Sequence, residues 1–263
     1  MPIIEVEALV LETREYRETS LLATLLTRGR GRVSAIAKGA RRKGSDLAGA
    51  VQPFNLLRVR LSVRDAGGLA TLISADLRIH PDYARCAEAP LARIAHAGLV
   101  AEVLTHSHEN DPHAAELFDL ARDFFLGLRE ATYPGSFALR GCFALLATLG
   151  FALEPPPATP DGGADDTIWH MDLLHGVPRR GRASEPAAGS RERGNVVYLD
   201  NETFEALRAI TRASGHPLSP ADGPVVGTRA GRNLMRLAIR LFETHLETRL
   251  HSAKFLEEMV LKC

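Results

Sequence analysis

Apolar residues recur with a period of two through the first eighty residues of this 263-residue chain, and that period stops at "HPDY" (80–83). Side chains alternate across a strand but repeat every 3.6 residues along a helix, so a change of period divides the fold before anything else is considered. Ile4, Val6, Ala8 and Val10 alternate with Glu5, Glu7 and Leu9, which predicts a half-buried strand. "SLLATLLT" (20–27) predicts a second strand. "GRVSAIA" (31–37) predicts a third, after the glycine-marked turn "RGRG". In "LLRVRLSV" (56–63), Leu57, Val59, Leu61 and Val63 share one side, and Arg58 and Arg60 the other. "GLATLISADL" (68–77) follows the turn "RDAGG" as the fifth. Five short strands with glycine turns predict a small barrel or sandwich.

Beyond residue 83 the spacing is helical. Helices are predicted over residues 89–106, 113–130, 136–151, 201–211 and 231–250, with Ser136 as an N-cap and Gly150 just past a C-terminus. Residues 154–195 hold "EPPPATPDGGADD" and "RRGRASEPAAGSRERG", a composition that buries little apolar surface. Loop or disorder is predicted there, around a brief ordered piece near "TIWHMDLLHG". The expected class is α+β: a five-stranded β-barrel domain over residues 1–80, then a helical domain over 81–263 with an irregular insert.

Charge is the second constraint. The chain carries 32 basic and 32 acidic residues, yet residues 19–45 hold seven basic residues and no acid. They are Arg28, Arg30, Arg32, Lys38, Arg41, Arg42 and Lys43. Four of them sit in "AIAKGARRKGSD" (35–46), between the third and fourth strands, where Gly39 and Gly44 let the chain bend. A basic run of this kind points to nucleic acid or a membrane surface, against the plainer reading of a solvated loop. With Arg58 and Arg60 on one strand face, the arrangement is one that follows a single-stranded phosphate backbone. Neutral net charge confines such binding to a local face. Phe54 and Tyr16 are candidates for base stacking, with a core role the alternative for Phe54.

Other chemistry finds little support. The N-terminus "MPIIEVEALV" has no basic region of a signal peptide, and no apolar run approaches the ~18 residues of a membrane span. Three scattered cysteines, Cys86, Cys142 and Cys263, give no disulfide framework; a reducing, cytoplasmic setting is expected. Lys43 precedes Gly44, the reverse of a P-loop. "HSHENDPH" places His106, His108 and His113 with Glu109 and Asp111, a loop rather than paired metal ligands at two separated positions. Cys142 inside an apolar helix reads as a small core residue. No nucleophile or metalloprotease motif is present, so no enzyme is expected.

Three stretches carry a resemblance. Residues 10–57, above all "AKGARR" and "LAGAVQPF", then "LRGCFALLATLGF" (139–151), then "HLETRLHSAKFLEE" (245–258), resemble in order and spacing the RecO family of bacterial DNA repair and recombination mediators. The resemblance implies an N-terminal OB-fold followed by a helical domain. It implies binding of single- and double-stranded DNA, annealing of complementary strands, and work with RecR to load RecA onto DNA covered by single-strand-binding protein (SSB). It places the activity in the cytoplasm, at the nucleoid during repair, with no membrane. Arg140 matches a family position and is the implied partner of the terminal carboxylate of the acidic SSB tail; the alternative is a solvated charge on a helix surface. Many members carry two Cys-x-x-Cys pairs after the Leu-Gly-Phe helix. Here that segment has no cysteine, so the zinc site is expected to be lost and no cofactor is expected.

The phosphate-binding residues expected are Arg30, Arg32, Lys38, Arg41, Arg42 and Lys43, with Arg28, Arg58 and Arg60 beside them. Two readings compete: an OB-fold module for RNA, since phosphate grooves do not select the sugar, and an adaptor whose basic loop contacts an acidic partner.

Overall fold

The computed structural model describes residues 2–63, 68–108, 112–153, 168–181, 195–214, 218–221 and 223–261. They form two compact units that divide between Glu130 and Ala131.

In the first unit, β1 (Ile3–Tyr16), β2 (Ser20–Thr27), β3 (Gly31–Ala37), β4 (Leu56–Ser62) and β5 (Ala70–Ile79) close a barrel in the order β1-β2-β3-β5-β4. Neighbours are antiparallel except β3 and β5, which run parallel through Ala35↔Ala70 to Ala37↔Leu72. This is the five-stranded OB-fold arrangement. The strand β1 makes closure possible. Its first half pairs with β4, from Ile3↔Ser62 to Leu9↔Leu56, and its second half with β2, from Ala8↔Thr27 to Tyr16↔Ser20. The register shifts between Val10 and Glu12, so Leu11 is an extra residue; such a bulge bends a strand and increases its twist.

The interior is lined by Ala8, Val10, Ala23, Leu25, Val33, Ala35, Ala37, Leu57, Val59, Leu61, Ala70 and Leu72, with many small side chains filling a narrow barrel. A short helix, α1 (Asp46–Ala50), was not legible in the sequence; Ala50 and Val51 behind it complete the core.

Residue 80 is where strands end, but the first unit continues through α2 (Pro90–Thr105) and α3 (Ala114–Glu130). The reason is packing. The Tyr83 hydroxyl donates to the Phe125 carbonyl at 2.7 Å. Arg93, only 4% exposed, donates to the carbonyls of Leu128, Arg129 and Glu88, so its charge serves the unpaired acceptors at the end of α3. Phe54, in a left-handed conformation at φ 72°, stacks on Phe125 at 5.6 Å.

The second unit is built around α4 (Pro134–Thr148), in which every residue from Phe137 to Leu146 is buried. A helix apolar on all sides belongs in the centre of its unit. Against it pack α5 (Asn201–Ala213), N-capped by Asp200 accepting from Thr203 N at 2.8 Å, and α6 (Thr228–His245). Ser136 is not an N-cap: α4 starts at Pro134, and the Ser136 hydroxyl accepts from Val226 N at 3.0 Å. Gly150 follows α4 at φ 89°, as its sequence position implied.

Two further differences have local causes. The long last helix predicted over 231–250 breaks after His245, because Glu247 turns left-handed at φ 51° and Leu250 N is captured by Glu243 Oε1 at 3.0 Å. The chain then re-enters α7 (His251–Leu256) and a wide π-helical turn, Glu257–Leu261. The ordered piece near "TIWHMDLLHG" is larger than predicted. It forms β6 (Ile168–Asp172), central in a three-stranded sheet with β7 (Pro178–Gly181) and β8 (Val196–Leu199). Trp169 on β6 stacks face to face on Phe204 of α5 at 3.6 Å, a long-range contact that no local composition signals. The rest of the 154–195 segment lies outside the described residues, as do parts of the "RDAGG" and "HSHENDPH" turns.

His96 of α2 is 3% exposed, its Nδ1 has no hydrogen-bond partner, and burial pushes its pKa down to about 4. The folded value lies below the unfolded one near 6.5, so the unfolded chain binds the extra proton and stability falls as pH drops from about 6.5 toward 4. Between pH 7 and 4.5 the loss attributable to this group is roughly 2 kcal/mol. Denaturant titrations of the wild type and His96→Leu across that range should show the variant's stability falling less steeply by about that amount.

Candidate nucleic-acid interface

The basic loop leaves β3 at Ala37 and enters α1 at Asp46. Gly39 at φ 72° and Gly44 at φ 79° supply the two left-handed turns that a side chain with a Cβ would resist, so the glycines bracket the charges by conformational necessity. Between them, Arg41 is not a free cation. Its backbone N–H donates to the Thr19 carbonyl at 3.0 Å, its guanidinium to the carbonyls of Glu18 at 3.3 Å and Arg17 at 3.5 Å, and its Nη2 pairs with Glu15 at 2.8 Å. Arg41 thus ties the loop to the β1–β2 hairpin. Lys38, Arg42 and Lys43 stand exposed around that anchor.

The tie brings in residues that the sequence pattern did not single out as phosphate contacts. The second half of β1, "LETREY", lacks apolar alternation and is extended because it pairs with β2. It carries Arg14, Tyr16 and Arg17 to the same end of the barrel as the loop. Arg17 occupies the hairpin turn at φ 56° with its guanidinium over the Tyr16 ring at 5.3 Å. The signal of Arg14 and Arg17 was hidden because Glu12, Glu15 and Glu18 alternate with them in the chain. Tyr16 is half-exposed beside these cations, the setting of a stacking platform. Phe54 is not such a platform: its ring packs against Phe125 and Tyr83 inside the first unit.

The other candidates divide by their partners. Arg28 pairs with Asp119 at 3.1 Å and Glu7 at 3.9 Å. Arg58 pairs with Glu5, and across the sheet it faces Glu7 of β1 and Asp76 of β5. Arg60 lies opposite Glu5 and Ser74. The face that looked basic along β4 is therefore an alternation of both signs, with little field at a distance. Arg32 donates from Nε to the Ser107 carbonyl at 2.9 Å, and its backbone N–H to the His108 carbonyl at 3.3 Å, so it fastens β3 to the end of α2. Arg30 is half-buried in the β2–β3 turn.

In the second unit, Arg140 is 6% exposed rather than a solvated surface charge. Its guanidinium lies over the Phe137 ring at 5.3 Å and donates from Nη2 to the Ser219 carbonyl at 2.8 Å. Gly223 sits so close that a Cβ there would come within 2.6 Å of the Arg140 side chain.

Among the described residues no three His, Cys, Asp or Glu side chains come together as a metal set. His106 Nδ1 lies 3.0 Å from the Glu102 carbonyl, His113 lies 3.8 Å from Glu116, and Glu109 and Asp111 are outside the described residues. Among the described residues of the β6 strand and its following turn the donors are His170, Asp172 and His175, without a thiolate, and a structural zinc of the paired-cysteine type does not fit them. Cys142 is buried in α4, where desolvation pushes its thiol up to about 12, the behaviour of a core residue.

Comparison with known proteins adds an independent line. The family model described as "Recombination protein O N terminal" matches residues 1–79, the barrel. The DNA repair protein RecO of Myxococcus xanthus is 31% identical over 255 residues, covering 97% of both chains. That of Enterobacter sp. (strain 638) is 37% identical over 240 residues, 89% of this chain and 88% of its own. That of Escherichia coli O139:H28 is 32% identical over 237 residues, 89% of this chain and 86% of its own.

The partition between anchor and exposed cation is testable by stability alone. Arg41→Ala removes the ties to the hairpin and should cost about 1 kcal/mol, while Arg42→Ala should stay within about 0.5 kcal/mol of wild type. Urea midpoints of the two variants, measured side by side, check the difference.

Proposed function

The chain belongs to the RecO family of DNA repair and recombination proteins, and from that premise we propose that it binds and anneals single-stranded DNA without catalysing a covalent step. Further proposed roles are to bind double-stranded DNA and, with RecR, to help load RecA onto SSB-coated strands in the cytoplasm at the nucleoid. The observation that supports this reading most is the exposed trio Lys38, Arg42 and Lys43, held beside Arg14, Tyr16 and Arg17 by the Arg41 tie.

The chemistry follows from that set. Exposed cations exchange condensed counterions for phosphates, and the released ions drive binding. No array of base-reading side chains accompanies them, so binding falls on the backbone and sequence preference is small. Bases left free while charge is neutralised are bases that pair with a complementary strand. Arg28, Arg58 and Arg60, already facing acids, contribute little to this surface.

For Arg140 we propose the role that the resemblance implies, pairing with the terminal carboxylate of the SSB tail. An incoming carboxylate would take the place of the Ser219 carbonyl at Nη2, exchanging a neutral acceptor for a charged one. We further propose that no zinc is held, and that the Trp169–Phe204 stack fastens the β6 sheet to α5 by burial of aromatic surface instead.

Fluorescence anisotropy of a labelled single strand over a salt series tests the assignment. Each phosphate neutralised on a single strand adds about 0.7 to the slope of log affinity against log salt, so Lys38→Gln/Arg42→Gln/Lys43→Gln should lower that slope by about 2. Arg58→Gln/Arg60→Gln should leave the slope near wild type. Equal slopes for wild type and the triple variant would remove the barrel loop as the phosphate surface. Matched DNA and RNA strands in the same assay separate this reading from an RNA-binding one.

A further inference from the structure

The aromatic side chains of the first unit have packing partners, with one exception. Phe118, Phe124 and Phe125 are buried, and Tyr83 is buried with its hydroxyl donated to the Phe125 carbonyl. Phe54 packs on Phe125 and Tyr83. Tyr16 ends β1 opposite Ser20 and is half-exposed. Among the described residues its hydroxyl has no hydrogen-bond partner and its ring meets no other ring; its neighbour is the Arg17 guanidinium, 5.3 Å from the ring centroid. A tyrosine kept for packing gives its ring to the core and its hydroxyl to an acceptor, as Tyr83 does.

The turn beside it is strained and held from outside. Arg17 sits at φ 56°, a left-handed conformation that hairpin turns ordinarily give to glycine or asparagine. The Arg41 guanidinium donates to the carbonyls of Arg17 and Glu18, and the Arg41 backbone N–H to that of Thr19, so the loop fixes the turn. Strained residues persist where their surroundings over-determine them, and they gather at ligand sites. Here the strain seats a cation on one face of the Tyr16 ring. The opposite face is left for a flat partner, and no ring among the described residues takes it.

We propose that Tyr16 stacks on an unpaired nucleobase and that this one contact sets a preference of the barrel for single strands over duplex. The inference rests on the DNA-binding reading above, and its test is built to separate the two. Lys38, Arg42 and Lys43 meet phosphates, which single and double strands both carry, so charge alone separates the two poorly. A base inside a duplex has both faces covered by its neighbours. A base in a single strand is free to lie on an aromatic ring, and every base has such a face, so the contact selects strandedness without selecting sequence. The same contact gives annealing a direction. A base on Tyr16 must leave the ring to pair and stack in a duplex, so the product is held by charge alone and less tightly than the strand that was bound.

Labelled strands with and without bases test this on the full chain. An abasic strand carries the same phosphates and nothing to stack, so wild type should bind it about tenfold more weakly than the normal strand, at an unchanged salt slope. Tyr16→Leu should bind the normal single strand about tenfold more weakly than wild type does, and should match wild type on the abasic strand, on duplex, in salt slope and in thermal midpoint. Tyr16→Phe keeps the ring and should behave as wild type throughout. Equal binding of normal and abasic strands by wild type, a result that needs no variant, overturns the inference. Single-strand and duplex affinity falling together in Tyr16→Leu would make the tyrosine a support of the hairpin and overturn it too. If the barrel-loop triple variant loses slope while Tyr16→Leu matches wild type, this inference falls and the barrel reading stands. If the triple variant keeps its slope while Tyr16→Leu loses only single-strand affinity, the loop falls as the phosphate surface and Tyr16 stands.

Discussion

Closure of the barrel depends on one strand serving two neighbours. β1 reaches β4 with its first half and β2 with its second, and the extra residue Leu11 bends it between the two registers. Without that bend the strand would follow one partner and leave the other edge open. The parallel pairing of β3 with β5 then completes the circle, and it is the costly kind, since a parallel neighbour is reached only through a long crossover. Everything on the barrel's charged end follows from this. The β1–β2 hairpin projects beyond the closed part, and the β3–α1 loop is fastened to it through Arg41.

Charge along the chain and charge on the surface are different quantities here. The acid-free window of residues 19–45 is a fact of sequence, but several of its cations meet partners from elsewhere. Arg28 meets Glu7 and Asp119, Arg32 meets carbonyls at the end of α2, and Arg41 meets Glu15 with three carbonyls of the hairpin. Buried or partnered guanidinium groups hold the fold together because Arg offers several donors in a rigid fork; Arg93, spread over the carbonyls of three residues, is the same device in the interior. Lys38, Arg42 and Lys43 stay exposed beside them.

The second unit repeats this division. Its central helix α4 is so completely buried that Arg140 within it is enclosed with Phe137 and the Ser219 carbonyl. α6 is amphipathic instead, burying Ala230, Leu234, Met235, Leu237 and Ala238 and leaving Arg229 and Arg236 exposed. A buried guanidinium is positioned by packing and suited to one defined acceptor.

The sequence by itself determined the α+β class, the five strands with their inward sets such as Leu57, Val59 and Leu61, the left-handed glycines around the basic loop, and most of the helices, because each depends on local period and local backbone freedom. It also carried the family, since "AKGARR" and the other matching stretches are continuous in the chain. What only the tertiary structure decided depends on pairings across the chain. Extension of "LETREY" required β2 beside it, and the break at Glu247 required Glu243 to capture Leu250. The first unit's reach to Glu130 required Tyr83 and Arg93 to bind α3. Which of the nine candidate cations have acidic partners depends on Glu5, Glu7, Glu15 and Asp119, whose nearness in space has no trace in a window of sequence, because Coulomb attraction depends on distance through the fold and not on separation along the chain.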